Sequence, residues 1–441
     1  MTLMRTRVDA VNVLTVILVV LIALPSRLTF APLGGAGAPA LVMGLGCFVW
    51  WAYDHVQRVA PAQVGRQPVR LAMLITIGCF LVSYVVAMTR AIDPAESSTA
   101  NLGMVSLFSW SGLLLLANDG VQSRERLEVL IRRVVFAGGA VATLGVIQFL
   151  TGQAWVDRIS VPGLSVNAAL SGIFERSGFS RPAGTAIHPI EFGAVITMIL
   201  PIAINMALTD WTRGAVRRWY PVLAIALAVV LSISRSAILS AVVALLVLAV
   251  AWAPSTRRRA LLIVAAFMGL VCLTIPGLLG TITGLFTKIG DDSSAKSRTG
   301  SYDIAAQFIE RSPVFGRGFS TFLPKYRVLD NQYLGLAIEV GIVGLVAVLA
   351  LFYVAYACAR RVRVIGTDEH IRQTGQSLAA AVCAGAVGLA LYDGFGFPMA
   401  TGVLFLVLGM AGAALRLARP SEAGGAPGPR SEEVVPEFQG W

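Results

Sequence analysis

The stretch that decides the fold runs from Arg327 to Leu345, RVLDNQYLGLAIEVGIVGL. From Leu334 it is apolar and studded with glycine, with Glu339 as its one acid. That is the composition of a membrane helix. A carboxylate and an amide, Asp330 and Asn331, stand at its entrance, just after a long polar loop. What they are for depends on which side of a membrane they face and on what else faces the same way.

The 441 residues are 56% hydrophobic and 13% charged. With a mean hydropathy of +0.76, against about 25% charged residues in a soluble domain, this is a polytopic membrane protein. The formal charge of +11, from 35 Lys+Arg against 24 Asp+Glu, does not indicate nucleic acid in such a chain. Basic loops fix topology and meet anionic headgroups. Five cysteines fall in or beside apolar runs with no CxxC pair, and three histidines form no HExxH motif. Neither a disulfide framework, a metal site nor a cofactor is expected. Arg5 and Arg7 precede an apolar run in the manner of a signal peptide, but with so many later spans the run is expected to stay as a first helix.

Twelve apolar segments are expected to span: about 10–24, 36–53, 71–89, 101–117, 129–150, 186–208, 219–233, 237–253, 260–276, 331–357, 376–392 and 400–417. The termini and even-numbered loops carry twenty-two arginines; the short odd-numbered loops carry Arg27, Arg90 and Arg235. By the positive-inside rule both termini are cytoplasmic and Asp330 and Asn331 face outward. The expectation is an all-α membrane domain over residues 1–417 in the plasma (inner) membrane, with a large external loop at 277–330. A Pro/Gly/Glu-rich tail at 418–441 is expected to be disordered. Within the loop, Ile304, Ala305, Phe308 and Ile309 share a helical face. Thr299 stands at the start, and Pro313 and Gly316 at the stop, of a helix expected to lie amphipathically on the outer surface.

Several polar residues face the same way. Arg235 sits between two spans that share 33 residues from Tyr220 to Trp252. At about 1.5 Å per residue the turn barely reaches the headgroups of a ~30 Å core. It is either a snorkelling arginine or a phosphate clamp, since guanidinium is planar, always charged and bidentate toward phosphate. Arg298 opens the loop helix, and Arg181 precedes the sixth span. His188 and Glu191, three apart, share a helix face: an acid–base pair or hydrogen bonding at the helix entry. Asp393, in LYDGFGFP at the end of the eleventh span, lines a cavity or an interface. Asp330 is a general base or an N-cap.

FSRPAGTAIHPIEFG, SRSAILSA, SRTGSYDIAAQFIERSPVFGRGFSTF and DNQYLGLAIEVGIVGL occur in an order that resembles the O-antigen ligase and polymerase family (Wzy type), over roughly residues 100–415. The resemblance implies a metal-independent, inverting glycosyltransferase. It implies a donor oligosaccharide on a polyprenyl diphosphate at the outer leaflet, a glycan acceptor, the lipid bilayer itself and, for a polymerase, a chain-length regulator as partners. By motif, Arg235 and Arg298, with Arg181 as a weaker match, would hold the diphosphate. Asp330 would take the acceptor's proton, and Asn331 would orient the acceptor or the aspartate; His188 and Glu191, from their placement, are further candidates to bind or orient the acceptor. Ligases of the family typically carry His-Asn where this chain has Asp330-Asn331, which favours a polymerase, or another glycan transferase, over a lipopolysaccharide ligase. A secondary transporter would explain the spans equally well, but it predicts mid-span charge, and Glu339 is the nearest example. A non-catalytic subunit of a glycan assembly complex is the third reading.

Overall fold

The computed structural model describes residues 9–57, 67–166, 174–176, 178–287 and 300–419. Arg298, Thr299 and the 420–441 tail therefore lie outside the described residues. Fifteen α-helices run in the order α1 (Ala10–Ala23), α2 (Pro39–Gln57), α3 (Pro68–Met88), α4 (Pro94–Gly120), α5 (Arg124–Thr151), α6 (Pro189–Thr209), α7 (Ala215–Leu231), α8 (Arg235–Ala249), α9 (Pro254–Thr274), α10 (Leu278–Thr287), α11 (Tyr302–Arg311), α12 (Gln332–Glu339), α13 (Gly341–Ile365), α14 (Glu369–Leu389) and α15 (Pro398–Ala418). A helix lies at each expected segment. Six of them, α3, α4, α5, α6, α13 and α15, are long and apolar enough to cross a membrane alone, and α9 with α10 makes a seventh bent by 120°. The short apolar helices α1 and α8 fall below that length, so the protein is a helical multi-pass membrane protein without a settled count of twelve.

Burial sorts the helices into inner and outer. The apolar windows of α15, α6 and α4 are 94%, 83% and 78% buried, against 39–44% for α3, α5 and α13. Alternation between an apolar and a polar face does not separate these groups, because lipid is as apolar as the core. Small residues do. A Cβ on Gly409 of α15 would stand 2.5 Å from the Leu114 carbonyl oxygen, and one on Gly112 of α4 would stand 2.1 Å from that of Gly44 in α2. These glycines let backbones meet at the centre. In contrast, α9 has Val271 as its one buried residue. It touches the body near that end through Val230, Leu231 and Ile233 of the α7–α8 turn and through α10.

Polar contacts divide between the two ends of the bundle. At one end Arg132 meets Asp210 at 3.0 Å, Arg124 donates to the Leu417 carbonyl at 2.9 Å and Arg416 to that of Asn118 at 3.0 Å. Arg124, Arg132 and Arg416, three of the arginines assigned by sequence to one compartment, share this end. The opposite end, called the mouth below, holds two short antiparallel strand pairs, β1 (Leu28–Thr29) with the distant β2 (Ser165–Val166) and β3 (Phe174–Arg176) with β4 (Phe179–Arg181). It also holds Asp330.

The decisive stretch differs from its expected form. The tenth span does not run straight from residue 331: α12 ends at Glu339, and Gly341 turns the chain with φ +64° before α13 begins. The broken ladder leaves backbone groups that hydrocarbon cannot satisfy, and the loop supplies partners. Arg317 and Gly318 amides donate to the Ile338 and Glu339 carbonyls at 3.1 and 2.8 Å, and Ile342 and Val343 amides donate to those of Pro313 and Val314 at 2.9 and 3.2 Å. The amphipathic helix is also redirected. In α11, Ala305 is fully buried, and Phe308 and Ile309 pack with it on Leu329, Ile338, Phe322 and Leu334. Its apolar face covers α12 and the loop, where more apolar area is removed from water than a headgroup surface would offer.

Candidate functional site

The helix starts at the mouth account for several of the polar residues picked out by sequence. Asn331, not Asp330, is the N-cap of α12: its Oδ1 accepts from the Tyr333 and Leu334 amides at 3.0 and 3.3 Å. His188 caps α6, its Nδ1 accepting from the Ile190 amide at 3.1 Å. Burial, with the charge of Arg181 beside it, pushes the imidazole down to about 4, so it is neutral and fit to accept at Nδ1. Glu191 is fully buried. Its Oε2 accepts from the Ile187 amide at 2.8 Å, and its Oε1 from the Met399 amide at 2.7 Å. A carboxylate at the positive end of α15 is a stable arrangement. Glu191 and His188 thus bind their own backbone surroundings rather than open space.

Arg181 and Arg235 are brought together by one turn. Ile233 takes the left-handed conformation, φ 45°, between α7 and α8. The Arg181 Nε donates to the Ser232 carbonyl at 3.2 Å. Arg235, three residues on, is the first residue of α8 and donates from Nη1 to the Leu285 carbonyl of α10 at 3.4 Å. Burial, with the nearby charge of Arg176, lowers Arg181 to about 10, and it remains cationic. The loop bearing Arg181 is fixed from α5, where Gln148 pairs with both the carbonyl and the amide of Gly184 at 2.9 and 2.7 Å. At fifteen residues, α8 covers roughly 22 Å against a ~30 Å core. Arg235 therefore begins a helix too short to span by itself.

Asp330 is half-buried next to the cap. Docking of α12 brings it toward Asp393: the Tyr333 hydroxyl donates to the Ala386 carbonyl of α14 at 2.7 Å, and the Phe395 amide donates to Gln332 Oε1 at 2.7 Å. The Asp393 side chain is open to solvent, but desolvation by the protein around it, with the charge of Asp330 second, raises its carboxyl to about 6. A cavity of about 470 Å³ opens here, walled by Arg27, Trp110, Arg327, Gln332, Glu339 and Asp393 among others. Arg27 and Ile187 also line a smaller recess that reaches Arg181. Of the residues predicted from sequence, the six that are described, Arg181, His188, Glu191, Arg235, Asp330 and Asn331, do not line the larger cavity, and Arg298 lies outside the described residues. Asp393 had a signal in its broken GFGFP helix end; Trp110, Gln332, Arg27 and Arg327 had none, because only the fold brings them to one place. Among the described residues no cluster of His, Cys, Asp or Glu could hold a metal ion.

The loop over the cavity is tied down by one acid. Glu96, in the first turn of α4, accepts from Arg317 Nη2 at 2.5 Å, Tyr326 Oη at 2.5 Å and Arg90 Nη2 at 3.0 Å. Outside this clasp Lys325 meets Asp93 at 2.8 Å.

Residues 220–349 match the family model of O-antigen ligase, Wzy_C. The matched segment begins in α7 and ends in α13, so it contains Arg235, Arg298, Asp330 and the broken span, and leaves out Arg181, His188, Glu191 and Asp393. It covers under a third of the chain. No curated protein matches the sequence. The resemblance found in the sequence motifs is to this same family. At its coarsest the similarity supports glycan transfer of the O-antigen ligase and polymerase kind, from a lipid-linked donor to a glycan acceptor, by a multi-pass membrane protein.

Proposed function

We propose that the protein polymerises glycan units carried on a polyprenyl diphosphate, at the outer leaflet of the plasma membrane, by inverting and metal-independent transfer. The observation that carries the reading is that Arg181, bonded to the Ser232 carbonyl, and Arg235, the first residue of α8, meet at the turn between α7 and α8, near the start of the segment similar to O-antigen ligases. Two guanidinium groups at a helix that stops short of the bilayer surface suit a diphosphate whose lipid tail stays in the membrane. Arg298 is proposed as a third phosphate ligand.

In this reaction the acceptor hydroxyl gives its proton to Asp330 as its oxygen bonds the donor's anomeric carbon. The carbon–oxygen bond to the diphosphate breaks on the opposite face, and the diphosphate leaves with the electron pair. The arginines stabilise the charge that gathers there. Asn331 holds the start of α12, and so the aspartate before it, in place. His188 and Glu191 act through the α6 and α15 starts. Both termini are proposed to be cytoplasmic, with a chain-length regulator as a further partner. Transfer to a different acceptor, as in a ligase, would use the same chemistry.

The test uses purified protein in lipid nanodiscs with a lipid-linked repeat unit. Arg235→Ala and Arg298→Ala should abolish chain growth, and Arg235→Lys should recover little of it, because an ammonium cannot reproduce the planar fork. Asp330→Asn keeps the shape but not the proton acceptor. Wild-type rates in Asp330→Asn, or full activity in both arginine-to-alanine variants, would refute the assignments.

A further inference from the structure

The 470 Å³ cavity at the mouth is more than space left over by packing. Most of its polar wall is already engaged. Glu339 Oε1 accepts from the Phe322 amide at 3.1 Å, Gln332 Oε1 from that of Phe395 at 2.7 Å, and Arg27 Nη2 donates to the Val156 carbonyl at 3.0 Å. Two groups differ. The Asp393 carboxylate accepts no hydrogen bond from any described residue, and its open surface is part of the cavity wall. The indole of Trp110, only 3% exposed, lines the same cavity, and its buried Nε1–H has no partner among the described residues. A buried donor left unpaired costs about 1–3 kcal/mol, so a native wall that keeps one is suited to a ligand that supplies the acceptor.

The apolar part of the wall has a shape to match. Trp110, Phe319 and Phe395 form a ring cluster with centroids 5.2 Å (Trp110–Phe395), 6.4 Å (Trp110–Phe319) and 6.4 Å (Phe319–Phe395) apart. A pyranose presents C–H groups on its faces and hydroxyls on its rim. Aromatic faces take the first, and a carboxylate with two oxygens takes a pair of the second. The volume lies in the ordinary range for a small-molecule site, about 300–1,000 Å³. Leu329 and Gln332, on either side of the Asp330–Asn331 pair, both line the cavity, so a sugar held by Asp393 lies near the proposed proton acceptor.

We propose that this cavity is the acceptor subsite, in which the acceptor's terminal sugar lies against the Trp110, Phe319 and Phe395 rings and is held through two hydroxyls by Asp393. The proposal rests on the transfer reaction set out above and adds where the acceptor sits. Asp393 binds; it takes no proton in the reaction, which passes to Asp330.

The experiment is steady-state transfer by the full-length protein in nanodiscs, with the lipid-linked repeat unit as donor and the same oligosaccharide freed of lipid as acceptor. Asp393→Asn should raise the acceptor KM roughly tenfold to a hundredfold, the loss expected for a hydrogen-bonded charge, with donor KM and kcat within about twofold of wild type. Trp110→Phe keeps the ring and removes the N–H, so it should raise the acceptor KM about threefold to tenfold and leave the donor KM alone. It also decides the matter if the Asp393 variant does not fold. An unchanged acceptor KM in either folded variant would overturn the proposal. So would a collapse of kcat at unchanged acceptor KM, which would make Asp393 a proton acceptor instead. If wild-type protein transfers nothing, the transferase reading itself fails; if it is active and the acceptor KM does not move, only the subsite fails.

Discussion

Removal of the Glu96 carboxylate should release the loop over the cavity, and the size of the effect follows from its contacts. The side chain is 3% exposed and holds Arg317 at 2.5 Å, Tyr326 at 2.5 Å and Arg90 at 3.0 Å. In Glu96→Ala the Arg317 guanidinium, 13% exposed, keeps its charge but loses its counter-ion. Breaking a buried pair from one side costs about 3–5 kcal/mol. Arg317 retains the faces of Phe308 and Tyr326, each 4.9 Å away, so the low end, about 3 kcal/mol, applies. That corresponds to roughly a 150-fold increase in the open fraction of the loop. Hydrogen exchange at the Arg317 and Gly318 amides, which pair with Ile338 and Glu339 carbonyls, reports it directly. Exchange should accelerate by about two orders of magnitude in Glu96→Ala, and by less in Glu96→Gln, which keeps the partner of Tyr326. Exchange within about threefold of wild type would show that the clasp does not hold the loop.

Gly316→Ala should fail to assemble the mouth, because φ is +70° and the new Cβ would lie 2.3 Å from the Glu339 carbonyl carbon; a folded variant with wild-type exchange would contradict this. Ser293→Cys should react with an impermeant thiol reagent on intact cells and Ser421→Cys should not; the reverse pattern would invert the proposed topology. Asp393 gives a pH dependence with a definite sign. Its carboxyl is raised from 3.8 to about 6, so the folded state binds that proton more tightly than the unfolded state. The stabilisation is complete below 3.8 and is lost as pH rises through about 6. Thermal melting of wild type relative to Asp393→Asn should therefore decline between about pH 4 and 7, and a flat difference would refute it.

The positions of most helices were legible because hydropathy is a local property: apolar runs mark the helices of the twelve expected segments whether they face lipid or protein, while α10, inside the expected loop 277–330, was not read. The break at Gly341 was not, since the atoms that make it possible belong to Pro313, Val314, Arg317 and Gly318, and an apolar run carries no record of partners some twenty residues away. The same reason separates the residues of the mouth. Arg235 and Arg181 could be picked out singly, but their common turn is a contact across about fifty residues. Glu191 looked like half of an acid–base pair with its neighbour His188, while its Oε1 is bound by Met399, which no spacing rule connects to it. The cap of α12 fell one residue later than the alternative considered for Asp330, on Asn331, and that leaves the aspartate carboxylate without a capping duty.

The exposure of α9 has a consequence for the arginines. A helix with one buried residue has its tilt set by the bilayer rather than by neighbouring protein. Through the 120° corner it carries α10, and with α10 the Leu285 carbonyl that Arg235 grips at 3.4 Å. Hydrocarbon thickness is thus one of the quantities that positions this ligand of the guanidinium. A thinner or thicker lipid film should therefore shift the Leu285 carbonyl relative to Arg235, which would make the membrane a component of the site rather than merely its container.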